Sequence, residues 1–183
     1  MESLDVTPKR WTRAEYEHLG ELGVFQGGPR VELVEGQIVE MSPQNTPYSK
    51  AITRLTDLLI RVFGKAHYVR VQLPFNSGVD SQPEPDFCIL RRELVDDSDQ
   101  QPDQADLIVE VSDTSLAYDR QKSRVYARAN VAEYWIINLK QNRLEVYREP
   151  RSHGYSLTRL LLSEEEIQPL GWPEVKIAVA DLF

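Results

Sequence analysis

The sequence predicts an α/β fold built on a mixed β-sheet with helices packed against it. Two stretches, about 45–63 and about 114–129, carry apolar residues at helical spacing, and short apolar runs of strand length lie between and after them. Helices interleaved with strands define the α/β class. Repeated hairpin signals, such as the Glu35-Gly36 turn between two apolar runs, favour a mixed sheet over a purely parallel one.

In chain order, residues 1–10 read as a loose N-terminal segment. Thr12 followed three residues later by Glu15 is a capping-box pattern, which predicts a short helix to about Leu22. Arg30–Met41 reads as a hairpin turning at Glu35-Gly36. Ile52, Leu55, Leu58, Leu59 and Val62 share one face of a helix from about Asn45 to Phe63, stopped by Gly64. Strands follow at His67–Leu73 and Asp86–Leu90, then an acidic exposed loop over Glu93–Gln104. Asp106–Ser112 is apolar on both faces, as in a strand covered on both sides. A helix from Thr114 or Ser115 to Ala129 offers Leu116, Val125 and Ala129 as its seam to the sheet, and Glu133–Asn138 pairs with Arg143–Arg148. The tail to Phe183 alternates too weakly to order.

At 183 residues the length favours one domain spanning 1–183. A chain of this size buries roughly 70% of its unfolded surface and needs no covalent staples. Its one cysteine, Cys88, excludes an internal disulfide, lies in an apolar run as a buried thiol, and fits a reducing compartment. No stretch of signal-peptide or membrane-span character is visible, so a cytoplasmic location without membrane contact is expected. The net charge of −8, from 21 basic and 29 acidic residues, argues against a protein that coats nucleic acid non-specifically. His18, His67 and His153 have no ligand spacing for zinc, and no Gly-rich phosphate loop or nucleophile elbow is present.

The informative residues are carboxylates in apolar company. Glu110 sits in Leu107-Ile108-Val109-Glu110-Val111 and shares a face with Ile108 and Ser112. A buried carboxylate must be paired, protonated or bound to a metal; a strand end reaching water or a structural ion pair is the alternative. Asp86 begins Phe87-Cys88-Ile89-Leu90 and shares a face with Cys88 and Leu90; an ordinary strand-start aspartate is its alternative. Together the two acids form an oxygen-rich site suited to Mg²⁺ or Mn²⁺. Asp119, Lys122 and Tyr126 lie along one face of the following helix. From there Lys122 can reach the acids to orient or deprotonate a water or to stabilise phosphate charge; a solvated lysine is the alternative. Arg120, Arg124 and Arg128 make a positive patch that either contacts phosphates or is simply solvated. Tyr126, Tyr134 and Trp135 read as core or dimer-contact aromatics rather than base-stacking platforms. Glu32 and Glu35 are further acids near this region.

Several motifs occur in a characteristic order: Val31–Pro43, Pro85-Asp86, Asp106–Ser112, Asp119–Lys122 and Tyr126–Asn138. In this order the chain resembles the Uma-type restriction endonucleases, a family within the PD-(D/E)XK nuclease superfamily, over about residues 12–150. The resemblance implies a restriction-endonuclease-like core, over about 30–150, and metal-dependent hydrolysis of phosphodiester bonds. By the resemblance Asp86 would be the Asp of the family's PD pair, Glu110 its second metal-binding acid and the Val111 carbonyl a further ligand. The lysine usual two residues after the acid is replaced by Ser112, and the resemblance implies that Lys122 supplies it from the next helix. Where the family often has His near the start of its long helix, this chain has Pro47-Tyr48. Where it often has Gly before a Val-Pro-Glu-Tyr-Trp stretch, this chain has Asn130-Val-Ala-Glu, and Asn tolerates the left-handed conformation.

The expected function is that of a Mg²⁺- or Mn²⁺-dependent endonuclease with DNA as the favoured substrate, RNA remaining open. A homodimer is expected, because cutting both strands favours two sites. Two alternatives stand beside it. One is a catalytically silent nuclease-like module that binds nucleic acid or protein; the other is a hydrolase using two carboxylates as acid and base without metal.

Overall fold

The computed structural model describes residues 7–183, so part of the expected N-terminal segment lies outside the described residues; 7–10 are exposed and irregular. Helix α1 (Arg13–Glu21) opens on the capping box, Thr12 accepting from Glu15 N–H while Glu15 accepts from Thr12 N–H. Strands β1 (Val31–Val34) and β2 (Gln37–Glu40) form the hairpin. Glu35 (φ 50°) and Gly36 (φ 73°) are both left-handed, the geometry a two-residue hairpin turn requires.

Helix α2 (Thr46–Phe63) is capped by Asn45, whose side chain accepts from Tyr48 N–H, and it ends at Gly64. Next come β3 (His67–Val71), β4 (Phe87–Arg91), the short α3 (Glu93–Asp96) and β5 (Leu107–Ser112). Helix α4 (Leu116–Arg128) leads through left-handed Asn130 (φ 57°) to β6 (Glu133–Asn138). The acidic 93–104 segment is therefore not wholly an exposed loop: it contains α3, and Pro102 is buried, its carbonyl accepting from Asn76 N–H. Strand β7 (Arg143–Arg151), β8 (Gly154–Leu162), the small β9 (Glu166–Ile167) and β10 (Ile177–Ala178) pair, and a 3₁₀ turn (Val179–Leu182) complete the chain.

Six strands form one sheet in the order β3-β4-β5-β6-β7-β8. Only β5 and β6, joined through α4, run parallel; the other neighbours are antiparallel. This is the mixed sheet expected from the hairpin signals. Odd-numbered residues of the central strands (Phe87, Ile89, Val109, Val111, Trp135) pack with Leu55, Leu59 and Phe63 of α2 and with the C-terminal tail. Even-numbered ones (Cys88, Leu90, Ile108, Tyr134, Ile136) pack with Tyr126 of α4 and Phe75. The period of 2 therefore sends Asp86 and Glu110 to the α4 face. No helix among the described residues is long and apolar enough to cross a membrane.

Glu133 ties the tail to the sheet. It is wholly buried and accepts from Trp135 Nε1 (2.9 Å), Arg148 Nη2 (2.7 Å) and Leu170 N–H (2.5 Å). Glu133→Ala strands these donors and is expected to cost about 3–5 kcal/mol in urea denaturation, with Glu133→Gln costing less; equal, sub-kilocalorie losses for both would show that this hub contributes nothing.

Candidate active site

Just before β4 begins, the two acids lock its junction with β5. Asp86 N–H donates to Glu110 Oε2 (3.1 Å), and Val111 N–H donates to Asp86 Oδ2 (2.8 Å). Both side chains are buried, with Asp86 6% and Glu110 3% exposed. The N–H and C=O of a strand residue point to the same side, so the Val111 carbonyl faces the same junction and lines the cleft beside both acids.

Lys122 completes the core of the site. Its Nζ lies 2.7 Å from Glu110 Oε1 and 3.2 Å from Glu32 Oε2. The Lys122 side chain is 3% exposed, so it is no solvated helix lysine. Burial lowers its pKa, but the charges of Glu110, Glu32 and Asp119 outweigh that and hold it well above the ordinary lysine value. The neighbouring carboxylates thus favour the ammonium form of Lys122, which can orient water and offset negative charge.

The buried face of α4 is consequently polar. Asp119, Lys122, Ser123 and Tyr126 are buried along it together with Val125 and Ala127, whereas Leu116 and Ala129 of the expected seam are only partly buried. Tyr126 donates to Glu110 Oε1 (2.7 Å), and Tyr134 donates to the Asp119 carbonyl (2.9 Å). These aromatics fill the core, as read from the sequence, but their hydroxyls also orient the site.

Glu32 enters from the hairpin, which docks through reciprocal hydrogen bonds between Leu33 and Gln82. It is 2% exposed and accepts from Tyr118 OH (2.9 Å) and Glu84 N–H (2.9 Å) as well as pairing with Lys122. Glu35, the other acid considered from the sequence, points elsewhere and pairs with Arg128 (3.1 Å) and Arg124 (3.5 Å). Arg120 pairs with Glu145 (2.5 Å). The three arginines of α4 thus face carboxylates, and two of them hold the Glu32 hairpin against the helix that carries Lys122.

Helix α2 also contributes. The Tyr48 hydroxyl donates to Asp86 Oδ1, and Gln72 Nε2 reaches Tyr48 OH (2.7 Å) and Asp86 Oδ1 (3.3 Å). Gln72 takes φ 53°, a left-handed conformation uncommon for a non-glycine residue, where its N–H meets the Pro85 and Asp86 carbonyls. Tyr48, at the helix start where the resemblance sets a His, thus reaches Asp86 directly.

Four buried acids, Glu32, Asp86, Glu110 and Asp119, surround one ammonium in a cleft of about 300 Å³. Burial and the charge of Glu110 push Asp86 up to about 7, and the same two causes push Asp119 up to about 7. The surplus of negative charge is balanced by protons, or by a cation that replaces them. Two carboxylates and a carbonyl suit a small hard cation that keeps waters in its other positions, so Asp86, Glu110 and Val111 are the residues that could hold one. Among the described residues no three or more His, Cys, Asp or Glu side chains are gathered as a ready-made ligand cluster.

A six-stranded mixed sheet with helices on both faces, and a Pro-Asp/Glu/Lys cleft at the β4–β5 junction, defines a restriction-endonuclease-like nuclease fold. The family model described as "Putative restriction endonuclease" (Uma2) matches residues 13–180, and the chain belongs to that family. It is similar in structure to a putative nuclease from Anabaena variabilis ATCC 29413, with a TM-score of 0.68 and 16% identity over 85% of this chain and 90% of that one. The type IIG restriction endonuclease BpuSI aligns at a TM-score of 0.42 and 16% identity, over 63% of this chain and 14% of that chain. No curated protein matches the sequence.

An acid raised from 3.8 to about 7 by folding binds its proton more tightly in the folded state. Its stabilising contribution is present at acid pH and lost as pH rises from about 4 through about 7. The raised Lys122 titrates only at alkaline pH and does not touch this window. In chelator, Asp86→Asn is therefore expected to gain thermal stability relative to the unsubstituted protein as pH rises from 5 to 8; a stability difference independent of pH would contradict the raised Asp86.

Proposed function

We propose that the chain is a divalent-cation-dependent endonuclease that hydrolyses phosphodiester bonds of DNA in the cleft at the β4–β5 junction. The observation that carries this reading is the Lys122 ammonium held 2.7 Å from Glu110, whose other oxygen accepts from the Asp86 main chain. Mg²⁺ or Mn²⁺ bound by Asp86, Glu110 and the Val111 carbonyl would polarise a phosphate and make a bound water more acidic.

The chain's own residues supply the rest. Tyr48 and Gln72 fix one Asp86 oxygen, and the Val111 N–H fixes the other. Tyr126 holds Glu110, leaving neither acid free to rotate away. Glu32 and Glu110 pin Lys122 from two sides, so its charge stands ready where negative charge develops on the phosphate, at no reorganisation cost. Burial of the set excludes bulk water and strengthens each interaction. Asp119, raised to about 7, is suited to carry a proton near neutral pH. A homodimer follows from this reading, since one cleft serves one strand.

Plasmid nicking tests the proposal. Nicking is expected with Mg²⁺ or Mn²⁺, none with chelator, and none from the Asp86→Ala/Glu110→Ala variant. Lys122→Met, checked for folding by circular dichroism, should lose about 10²–10³-fold in rate. Cleavage that persists in chelator would point to the metal-free acid–base hydrolase; a folded, cation-binding protein that never nicks would leave a silent binding module.

A further inference from the structure

The arginines of α4 are consumed by carboxylates, yet a second set of cations borders the cleft. Beside the acid site, and sharing Gln44 and Asn45 with it as a common wall, runs a groove of about 490 Å³. It is lined further by Thr46, Ser49, Lys50, Thr53 and Arg54 of α2. These positions follow the i, i+3, i+4, i+7, i+8 pattern, so they form one continuous stripe on the helix. The opposite stripe, Ala51, Leu55, Leu59 and Phe63, is buried against the sheet.

The charges on this stripe are arranged against the stability of the isolated helix. Lys50 and Arg54 are four residues apart, a like-charge neighbour pair that destabilises a helix by a few tenths of a kcal/mol. Among the described residues neither has a carboxylate within 4.0 Å. One turn on, Arg61 does take Asp57, at 2.7 Å, as a solvated helix face ordinarily does. In a chain of net charge −8, an unneutralised pair of cations at the mouth of an acidic cleft calls for an anionic partner from outside. The Ser49 and Thr53 hydroxyls donate back to the carbonyls of Asn45 and Ser49, so they keep the groove floor small and leave the contacts to the two cations.

We propose that this α2 stripe is the seat for the phosphodiester backbone of the DNA strand that runs out of the cleft, with Lys50 and Arg54 each contacting a phosphate. This rests on the nuclease reading of the site. From Thr46 to Arg54 the helix advances about 12 Å, which spans the rise of about three to four nucleotides of one strand. The groove reads no base; it holds the flanking strand so that one phosphate falls at Asp86, Glu110 and Lys122.

The test is fluorescence anisotropy of a short labelled DNA duplex, in chelator, over a range of NaCl concentrations. It compares the unsubstituted protein, Lys50→Ala/Arg54→Ala and Arg124→Ala/Arg128→Ala. The slope of log affinity against log salt should fall by about 2 in the first variant and stay unchanged in the second. An unchanged slope in the first, an equal fall in both, or no binding by the unsubstituted protein overturns the proposal. Nicking measured in parallel separates the two claims. Binding with the predicted slope difference but no cleavage removes the catalytic reading and keeps the groove. Cleavage with an unchanged slope removes the groove alone.

Discussion

A single buried ammonium organises this molecule. Lys122 stands between Glu110 of the central sheet and Glu32 of the N-terminal hairpin, and its charge is what allows both carboxylates to be buried. The hairpin, helix α4 and strand β5 therefore share an ionic contact in addition to the apolar packing of Ile108 against Tyr126. Removing one partner from such a set is far more costly than replacing the whole of it with apolar residues. Apolar replacement of a whole buried ion-pair set is often neutral or stabilising. Glu32, Asp86, Glu110 and Asp119 are nonetheless all buried beside Lys122.

That arrangement explains the surrounding shell. Tyr48, Tyr118, Tyr126 and Gln72 each direct a side-chain donor to a carboxylate of the cluster, and the Asp86, Val111 and Glu84 main-chain N–H groups add theirs. Burial alone would push these acids toward neutrality; the donors and Lys122 pull the other way. Asp86 and Asp119, left near 7, are the points where the balance is closest. Burial and the charge of Glu110 thus favour the protonated form at these two acids more than in an ordinary carboxylate. Arg124 and Arg128 act from outside the shell by tying Glu35, and with it the hairpin, to α4.

Much of this was legible in the chain itself. Glu110 and Asp86 betray themselves as acids in apolar strands, and the period of 2 puts both on one face. Asp119, Lys122 and Tyr126 share a helix face by spacing alone. Glu32, flanked by Val31, Leu33 and Val34, carries the same signature as Glu110 and could have been promoted on that ground. Other parts lay beyond sequence. Whether an arginine on α4 meets phosphate or carboxylate depends on where the Glu35 turn docks, a contact between residues 89 apart. The reach of Tyr48 to Asp86 depends on α2 packing across the sheet, and the left-handed Gln72 has no local signal, since neither glycine nor asparagine marks it. The tail's order is set by the Glu133 hub, whose partners come from three separate segments.

The most direct measurement is a calorimetric titration of Mn²⁺ into the protein at pH 6.5, repeated in buffers of different ionisation enthalpy and with the Asp86→Ala/Glu110→Ala variant. A cation that replaces protons on the acid cluster should bind the unsubstituted protein with measurable proton release, and should not bind the variant. Binding that survives the double substitution, or no binding up to millimolar Mn²⁺, would contradict the placement of the cation at Asp86 and Glu110.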